Sequence, residues 1–214
     1  MKEYKNVKFF LRDTIYIEDT VEIGENVIVY PNNILLGKTV VESSAILLPG
    51  NIIKDSVIKS GAEITQSNLD NGIIGENSKI GPFARIRPNS IIGKNCKIGN
   101  FVEIKNSILH NGVKASHLAY IGDSEVGENV NVGCGAIFVN FNGKEKNRVK
   151  VGTNSFIGSN VNLIAPLEIA PNSYICAGTT VTKNTKSGDF VIGREREIVK
   201  PKLAKKYLKE FKGD

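Results

Sequence analysis

An apolar residue returns at every sixth position along most of the chain. Three runs carry this period: Ile23, Val29, Leu35, Val41, Leu47 and Ile53; Ile74, Ile80, Ile86, Ile92, Ile98 and Ile104; and Val151, Ile157, Leu163, Ile169, Ile175 and Val181. Neither a helical period of about 3.6 residues nor simple strand alternation produces a strict six, whereas short strands joined by tight turns do. The pattern therefore predicts an all-β solenoid built from hexads.

Two further positions keep step with the apolar one. Glycine often follows it directly, as at Gly75 and Gly93, and a small or β-branched residue stands four positions after it, as at Ser78 and Cys96. We expect each hexad to form one side of a triangular prism, with the apolar residue inside and the glycine permitting the corner turn. Residues 15–186 leave room for about nine coils, stacked as parallel strands roughly 4.8 Å apart.

The period breaks in two places where chemistry is expected. The spacing between Ile104 and Ile121 is irregular, and this interval contains Lys105, His117 and Tyr120. Residues 138–150 do not fit into a coil, so we predict that they project as a polar loop. A long loop in an otherwise regular solenoid is more often functional than not.

The two ends of the chain lack the period. Residues 1–14 are predicted to form a cap over the first coil, with Phe9, Phe10 and Leu11 covering its open end. Residues 187–214 are predicted to form an extension. Within residues 202–212, apolar side chains recur at helical spacing between lysines, which indicates a basic amphipathic helix that caps the last coil.

Composition and charge exclude several classes of function. Of the net charge of +6, residues 200–214 supply six lysines against two acids, so the excess is a basic tail and no nucleic-acid partner is expected. No apolar run approaches the ~18 residues needed to cross a bilayer, so we expect a cytoplasmic protein with no membrane partner. The three cysteines lack a CxxC pair and are expected to be buried thiols.

Several segments together resemble one enzyme family. They are IGPFARIRP (80–88), IGNFVEIKNS (98–107), HLAYIGD (117–123), VGENVNVGCG (126–135), NFNGKEK (140–146) and FIGSNVNLIAP (156–166). This set resembles the acetyltransferase half of the bifunctional bacterial N-acetylglucosamine-1-phosphate uridyltransferases/glucosamine-1-phosphate acetyltransferases. The resemblance implies a left-handed parallel β-helix. The family's nucleotidyltransferase half is not among these 214 residues, and we expect a stand-alone acetyltransferase.

The resemblance also implies a reaction. Members of the family move an acetyl group from acetyl-coenzyme A, their co-substrate, to the 2-amino group of glucosamine 1-phosphate. The amine must be neutral to attack a thioester, and an imidazole suits the role of base. By resemblance His117 is that base, and direct transfer is expected without a metal. His110 matches no motif and is expected to be a surface residue.

The resemblance assigns further residues to the two substrates. The sugar phosphate and the sugar ring are expected to contact Arg87, Lys105, Tyr120, Asn131 and Lys146. We further expect Glu103 to orient Lys105. Acetyl-coenzyme A is expected in a groove between adjacent solenoids of a homotrimer, with sites between subunits, at Cys134, Asn140, Phe141, Ser159, Ala177 and Arg194.

Two residues of the cofactor set depart from the family pattern. Phe141 stands where tyrosine is usual, and Cys134 replaces a small alanine. If the missing hydroxyl makes a hydrogen bond, its loss weakens cofactor binding by about 1 kcal/mol.

Three alternatives remain open at the level of sequence. The acceptor can be a nucleotide-linked amino sugar or another amine, which the phosphate-facing residues disfavour. The chain can be a non-catalytic hexapeptide-repeat scaffold that partners a separate nucleotidyltransferase. A metal-dependent hydratase needs several histidine ligands around zinc, and the chain has only two histidines.

Overall fold

The computed structural model, which describes residues 4–207, is a prism with three parallel β-sheets as its sides. Each residue of a strand pairs with one about three hexads later, as Ile28 does with Ile46 and Ile46 with Glu63. Within residues 4–207 the sheets contain 11, 10 and 9 strands, which corresponds to about ten coils. The solenoid predicted from the hexads, and the left-handed parallel β-helix that the family resemblance implied, are confirmed, with about one coil more than expected.

The strands are short and alternate among the three sheets in chain order. The first sheet contains Lys8–Phe9, Ile28–Val29, Ile46–Leu47, Glu63–Ile64, Lys79–Ile80, Lys97–Asn100, Lys114–His117, Asn131–Val132, Phe156–Ile157, Tyr174–Ile175 and Phe190–Val191. The second contains Tyr16–Ile17, Ile34–Leu36, Ile52–Lys54, Asn68–Asp70, Arg85–Ile86, Glu103–Lys105, Tyr120–Gly122, Ile137–Val139, Asn162–Ile164 and Thr180–Val181. The third contains Glu22–Ile23, Val40–Val41, Val57–Ile58, Gly72–Ile74, Ser90–Ile92, Ile108–Leu109, Ser124–Val126, Val149–Val151 and Leu167–Ile169.

The core is a set of apolar columns inside the prism. Parallel pairing in register places Ile64, Ile80 and Ile98 directly above one another, and all three are buried. The small residues four positions after the apolar ones, such as Ser78 and Cys96, are buried as well. The hexad pattern therefore identified the interior, because every coil buries the same positions against its neighbours.

The corner role expected for the hexad glycine was wrong at Gly75 and Gly93, although Gly81 does have a positive φ of 99°. Left-handed backbone conformations occur at asparagines instead, as at Asn77 with φ 56° and Asn95 with φ 56°. Gly75 and Gly93 have no positive φ, but a Cβ on either would collide with the backbone of the next coil. For Gly93 that Cβ would lie 2.7 Å from the carbonyl carbon of His110. These glycines allow coils to approach closely, and asparagine, which tolerates the left-handed region, makes the turns.

The segment predicted as an N-terminal cap supplies the first rung of the β-helix. Lys8–Phe9 pairs in parallel with Ile28–Val29, which accounts for the additional coil. Phe9 packs against the core, and Phe10 stacks on Tyr30 with ring centroids 4.7 Å apart. A short 3-10 helix, Arg12–Thr14, leads into the second sheet.

The projecting loop is shorter than the predicted residues 138–150. Phe138 is fully buried within the strand Ile137–Val139, and Val149 is buried at the start of Val149–Val151. Both side chains fill the core, so the loop itself covers residues 140–148. Within it, Phe141 and Lys146 form an isolated antiparallel bridge.

The C-terminal extension leaves the prism after the strand Phe190–Val191. Within the segment predicted to form an amphipathic helix, the structure has a short 3-10 helix, Leu203–Lys206, and Leu203 is exposed. Tyr207 is exposed as well. Residues 208–212 of the predicted helix lie outside the described residues, so the cap over the last coil stays a prediction. No helix within residues 4–207 is long and apolar enough to cross a membrane.

All three cysteines are free thiols. Cys96 and Cys176 are buried, as expected. Cys134 is only partly buried, because it stands at a corner of the prism rather than inside it.

Candidate active site

Two corners of the prism carry the candidate site residues. We call the corner that joins the first sheet to the second the histidine corner, because His117 ends the strand Lys114–His117 there. We call the corner that joins the second sheet to the third the lysine corner, because Lys105 ends the strand Glu103–Lys105 there. The second sheet separates the two corners within one chain.

The lysine corner is organised around Asp123, a residue that the site prediction did not include. Its carboxylate is buried, and its Oδ2 atom lies 3.5 Å from Nζ of Lys105. Nδ2 of Asn106 donates a hydrogen bond to Oδ1 at 2.5 Å, and Nδ2 of Asn140 donates to Oδ2. One carboxylate therefore joins two neighbouring side chains of the preceding coil, Lys105 and Asn106, to Asn140 at the start of the projecting loop.

Asp123 is held in its charged form. Burial by itself would raise the pKa of Asp123, but the hydrogen bonds from Asn106 and Asn140 and the positive charge of Lys105 act in the opposite direction. The pKa is lowered overall. The carboxylate is therefore ionised at neutral pH, where it acts only as an acceptor.

Lys105 and Lys146 bring two amines together at this corner. Contact with the Lys105 amine lowers the pKa of Lys146, because a second positive charge beside the first is disfavoured. The same contact has the opposite effect on Lys105: together with the nearby Asp123 carboxylate, it raises the pKa of Lys105. Lys105 is thus the more firmly charged amine, and an anion bound between them would favour the charge on both.

Arg87 stands one coil before Lys105 and has a different partner. Its guanidinium lies 2.8 Å from Oε1 of Glu103, and both side chains are about one third exposed. The expectation that Glu103 orients Lys105 is therefore wrong. Lys105 turns instead to Asp123 of the next coil, and Glu103 pairs with the arginine of the preceding one.

Tyr120 and Asn140 complete the lysine corner. The Tyr120 ring reaches over Gly122, where a Cβ would collide with its hydroxyl group and lie 2.8 Å from Nδ2 of Asn140. That Nδ2 also donates to the Tyr120 hydroxyl at 3.4 Å. Asn140 was predicted among the cofactor contacts, yet in this chain it lies with Tyr120, Lys105 and Asp123.

His117 is exposed at the histidine corner. Within residues 4–207 its imidazole has no hydrogen-bond partner, so both ring nitrogens are free to meet a ligand. The following residue, Leu118, has a left-handed φ of 49° and is bonded through its backbone to the coils on either side. Its N–H donates to the Asn100 carbonyl at 3.0 Å, and its own carbonyl accepts from Gly135 at 2.7 Å. The turn fixes where the imidazole leaves the backbone.

Four of the six predicted cofactor residues follow His117 along the same corner. Cys134, Ser159 and Ala177 occupy equivalent turn positions in successive coils. Backbone hydrogen bonds link these turns: the Asn160 N–H donates to the Cys134 carbonyl, and the Gly178 N–H donates to the Ser159 carbonyl, both at 2.8 Å. Arg194 folds back so that its guanidinium donates to the Ala177 carbonyl at 2.8 Å. These four residues form an exposed strip of small side chains that ends in one arginine.

Two predicted residues lie outside both groups. Asn131 stands on the outer face of the first sheet, paired in register with Lys114 and Phe156. Phe141 lies in the projecting loop and is exposed. His110 is exposed on the third sheet, as expected, and its Nε2 lies 3.1 Å from Oε1 of Glu125.

Sequence reasoning missed Asp123 and Asn106 as parts of the site. Asp123 ends the HLAYIGD segment, and Asn106 follows Lys105 directly, so both lay within the quoted motifs. The signal was weak because asparagine and aspartate are common at left-handed turns, and only the stacking of coils brings these two side chains together. In the described part of the chain, no group of three or more metal-binding side chains is close enough to hold an ion.

Comparison with known proteins gives the family. A model of the GMPPB C-terminal domain matches residues 69–142. The bifunctional protein GlmU of Clostridium novyi is 52% identical over 196 residues, which are 91% of this chain and 43% of that protein. The bifunctional protein GlmU of Clostridioides difficile is 46% identical over 188 residues, with 88% and 41% covered.

The solved structure of the UDP-N-acetylglucosamine acyltransferase of Francisella novicida is similar to this chain over 84% of the chain and 66% of that protein's own chain. The TM-score is 0.45, and the sequence identity is 15%. The chain spans about two fifths of the length of the curated relatives it matches. At 52% identity over nine tenths of its own residues, the chain belongs to the GlmU family, as its motifs indicated.

Proposed function

We propose that the chain transfers an acetyl group from acetyl-coenzyme A to the 2-amino group of glucosamine 1-phosphate. The observation that carries this proposal is the lysine corner. There the positively charged side chains of Arg87, Lys105 and Lys146 lie near one another on the outside of a solenoid whose interior is apolar. The second support is membership of the GlmU family.

The lysine corner suits a sugar phosphate. A phosphate carries about two negative charges at neutral pH and accepts strong hydrogen bonds from charged donors. Lys105 and Lys146 offer two such donors, and Arg87 offers a guanidinium fork held by Glu103. Tyr120 and Asn140 stand beside these cations and are suited to contact the ring hydroxyls of the same sugar.

His117 is suited to act as the general base. Its imidazole would accept a proton from the sugar amine as the amine nitrogen bonds to the thioester carbonyl carbon. The carbon–sulfur bond then breaks, and the proton held by His117 passes to the leaving thiolate, which departs as free coenzyme A. No residue needs to carry the acetyl group, so transfer is direct and depends on holding both substrates in reacting positions.

The histidine corner suits the cofactor. The small side chains of Cys134, Ser159 and Ala177 leave space along this corner for an extended ligand, and Arg194 at the end of the strip suits a phosphate of coenzyme A. Acetyl-coenzyme A laid along this strip would point its thioester toward His117.

The site requires more than one copy of the chain. In one chain the second sheet separates His117 from the phosphate-binding lysines, so a neighbouring copy must bring its lysine corner to the histidine corner of the first. Phe83, Phe101 and Leu118 form an exposed apolar ridge beside His117 and offer a contact for that copy. Their φ values of 57°, 58° and 49° are costly for such side chains, which favours a functional role for the ridge. A homotrimer with sites between subunits meets this requirement.

An acceptor panel tests the proposal. Purified protein is mixed with acetyl-coenzyme A and glucosamine 1-phosphate, glucosamine, a nucleotide-linked amino sugar or a simple amine, and free thiol release is followed. We expect the highest kcat/KM with glucosamine 1-phosphate. The absence of thiol release with every acceptor, or equal rates with and without the phosphate, would contradict the proposal.

A further inference from the structure

The lysine corner repeats a left-handed turn position in successive coils. This position is occupied by Asp55, Asn71, Asn89, Asn106 and Asp123, with φ of 47°, 49°, 62°, 47° and 50°. Three of the five are asparagine, which tolerates this conformation at least as well as aspartate does. The turn by itself therefore does not require a carboxylate at residue 123.

The two aspartates of this column have different surroundings. The Asp55 side chain is 37% exposed and accepts a bond from the Lys38 N–H at 2.8 Å, which serves the neighbouring turn. The Asp123 side chain is 8% exposed and accepts from the side chains of Asn106 and Asn140 while it lies beside Lys105. A buried carboxylate loses its hydration, so it needs these donors around it.

The carboxylate decides how Asn140 is oriented. An ionised carboxylate cannot donate, so Asn140 must turn its Nδ2 group toward Asp123. The same Nδ2 reaches the Tyr120 hydroxyl at 3.4 Å, which occupies its second hydrogen. The oxygen of Asn140 is then the part of its side chain left for a ligand. Lys105 is held by the same carboxylate, at 3.5 Å.

We propose that Asp123 is a positioning residue that fixes the Asn140 amide and the Lys105 ammonium in the orientation that receives the acceptor substrate. This inference rests on the proposed function. Asparagine at residue 123 would preserve the turn and the shape of the side chain. It would not preserve the orientation, because Asn106 and Asn140 donate to different oxygens of Asp123, and asparagine replaces one of these oxygens with an NH2 group that cannot accept. The negative charge beside Lys105 would also be lost.

The test compares Asp123→Asn with a matched control, Asp55→Asn, which makes the same chemical change at the same turn position four coils earlier. For Asp123→Asn we expect the KM for glucosamine 1-phosphate to rise about tenfold, while the KM for acetyl-coenzyme A stays within about twofold. The alkaline rise in the sugar-phosphate KM should also begin at lower pH, because Lys105 loses the neighbouring negative charge. Asp55→Asn should match the wild type in all three measurements.

A merely structural role predicts a different result. In that case Asp123→Asn would lower thermal stability but leave both KM values and the pH profile unchanged, which would overturn the proposal. A double-mutant cycle with Asn140→Ala adds a second test, because effects on kcat/KM should be non-additive when Asp123 acts through Asn140. Additive effects would also overturn it.

Two further measurements keep the inference separate from folding and from the proposed function. If Asp123→Asn does not fold, Asn106→Gly keeps the left-handed turn and removes one hydrogen bond to the carboxylate. A sugar-phosphate KM raised about threefold supports positioning, and an unchanged KM contradicts it.

Calorimetric titration with glucosamine 1-phosphate measures binding without turnover. A wild type that binds it but releases no thiol contradicts the proposed function alone, whereas equal binding by wild type and Asp123→Asn contradicts the role of Asp123.

Discussion

Side chains organise the lysine corner, whereas backbone turns organise the histidine corner. At the first, Asp123 gathers Lys105, Asn106 and Asn140 through charge and hydrogen bonds. At the second, small residues and exposed turns leave His117 without a hydrogen-bond partner within residues 4–207. The difference fits the two substrates proposed for them. A compact phosphate needs cations of fixed geometry, while an extended cofactor needs a long, open strip.

The largest effect is expected at the histidine corner. His117→Ala should lower kcat by about 10²- to 10⁴-fold, the usual contribution of a general base, with little change in stability because the side chain is exposed. Thiol-release kinetics and thermal unfolding measure the two effects. His110→Ala is the matched control and should retain wild-type rates. Full activity in His117→Ala would remove this residue from the mechanism.

The next largest effect is expected for a substitution of Lys105, which should show whether the two corners bind different substrates. Lys105→Met removes a cation while keeping much of the side-chain volume, and should raise the KM for glucosamine 1-phosphate by about 10- to 100-fold, since hydrogen bonds to charged groups are worth about 1.5–3 kcal/mol. The KM for acetyl-coenzyme A should not change. Lys97→Met, on the outer face of the first sheet, serves as the control. An equal rise in both KM values would mean that the corners do not divide the substrates.

A substitution in the strip of small residues should have the reciprocal effect, on cofactor binding and not on sugar-phosphate binding. Ala177→Leu places a bulky side chain on an exposed turn, so the fold should tolerate it, but the side chain should obstruct an extended ligand there. We expect the KM for acetyl-coenzyme A to rise about tenfold, in line with a packing conflict of about 1–3 kcal/mol, with an unchanged KM for the sugar phosphate. If steady-state kinetics show the opposite pattern, the strip is not the cofactor site.

Phe141 tests whether the projecting loop belongs to the cofactor side. Phe141→Tyr restores the hydroxyl usual in the family and should lower the KM for acetyl-coenzyme A about fivefold, the equivalent of one net hydrogen bond. The exposed ring leaves room for the added oxygen, so stability should stay the same. An effect on the sugar-phosphate KM instead would assign the loop to the lysine corner, where Asn140 already lies.

The smallest effect expected is a pH dependence of acceptor binding. Neighbouring Lys105 lowers the pKa of Lys146, so Lys146 loses its charge earlier than an ordinary lysine as pH rises. The attraction for phosphate is present below that pKa and lost above it, and the sugar-phosphate KM should rise about threefold between pH 7 and 10. In Lys146→Arg the rise should disappear, because a guanidinium stays charged. A KM that falls with pH would contradict the assignment.

The sequence by itself determined the interior of the prism. The six-residue period identified inward residues such as Ile80 and Ile98, because each coil repeats one simple requirement, namely an apolar side chain stacked on another. The same regularity located His117 and Lys105 as departures from it. The period did not reveal that Gly93 prevents a collision with the next coil while Asn95 makes the turn, because both residue types favour turns.

Only the tertiary structure decided which side chains meet. Glu103 and Lys105 are two residues apart, yet each is paired with a different coil, and Asn140 lies with Asp123 rather than with the rest of the predicted cofactor set. Stacking places residues that are some seventeen positions apart in the chain side by side, as Asn106 and Asp123 are. The partners of a polar side chain here therefore depend on the register between coils, which sequence spacing within a coil does not specify.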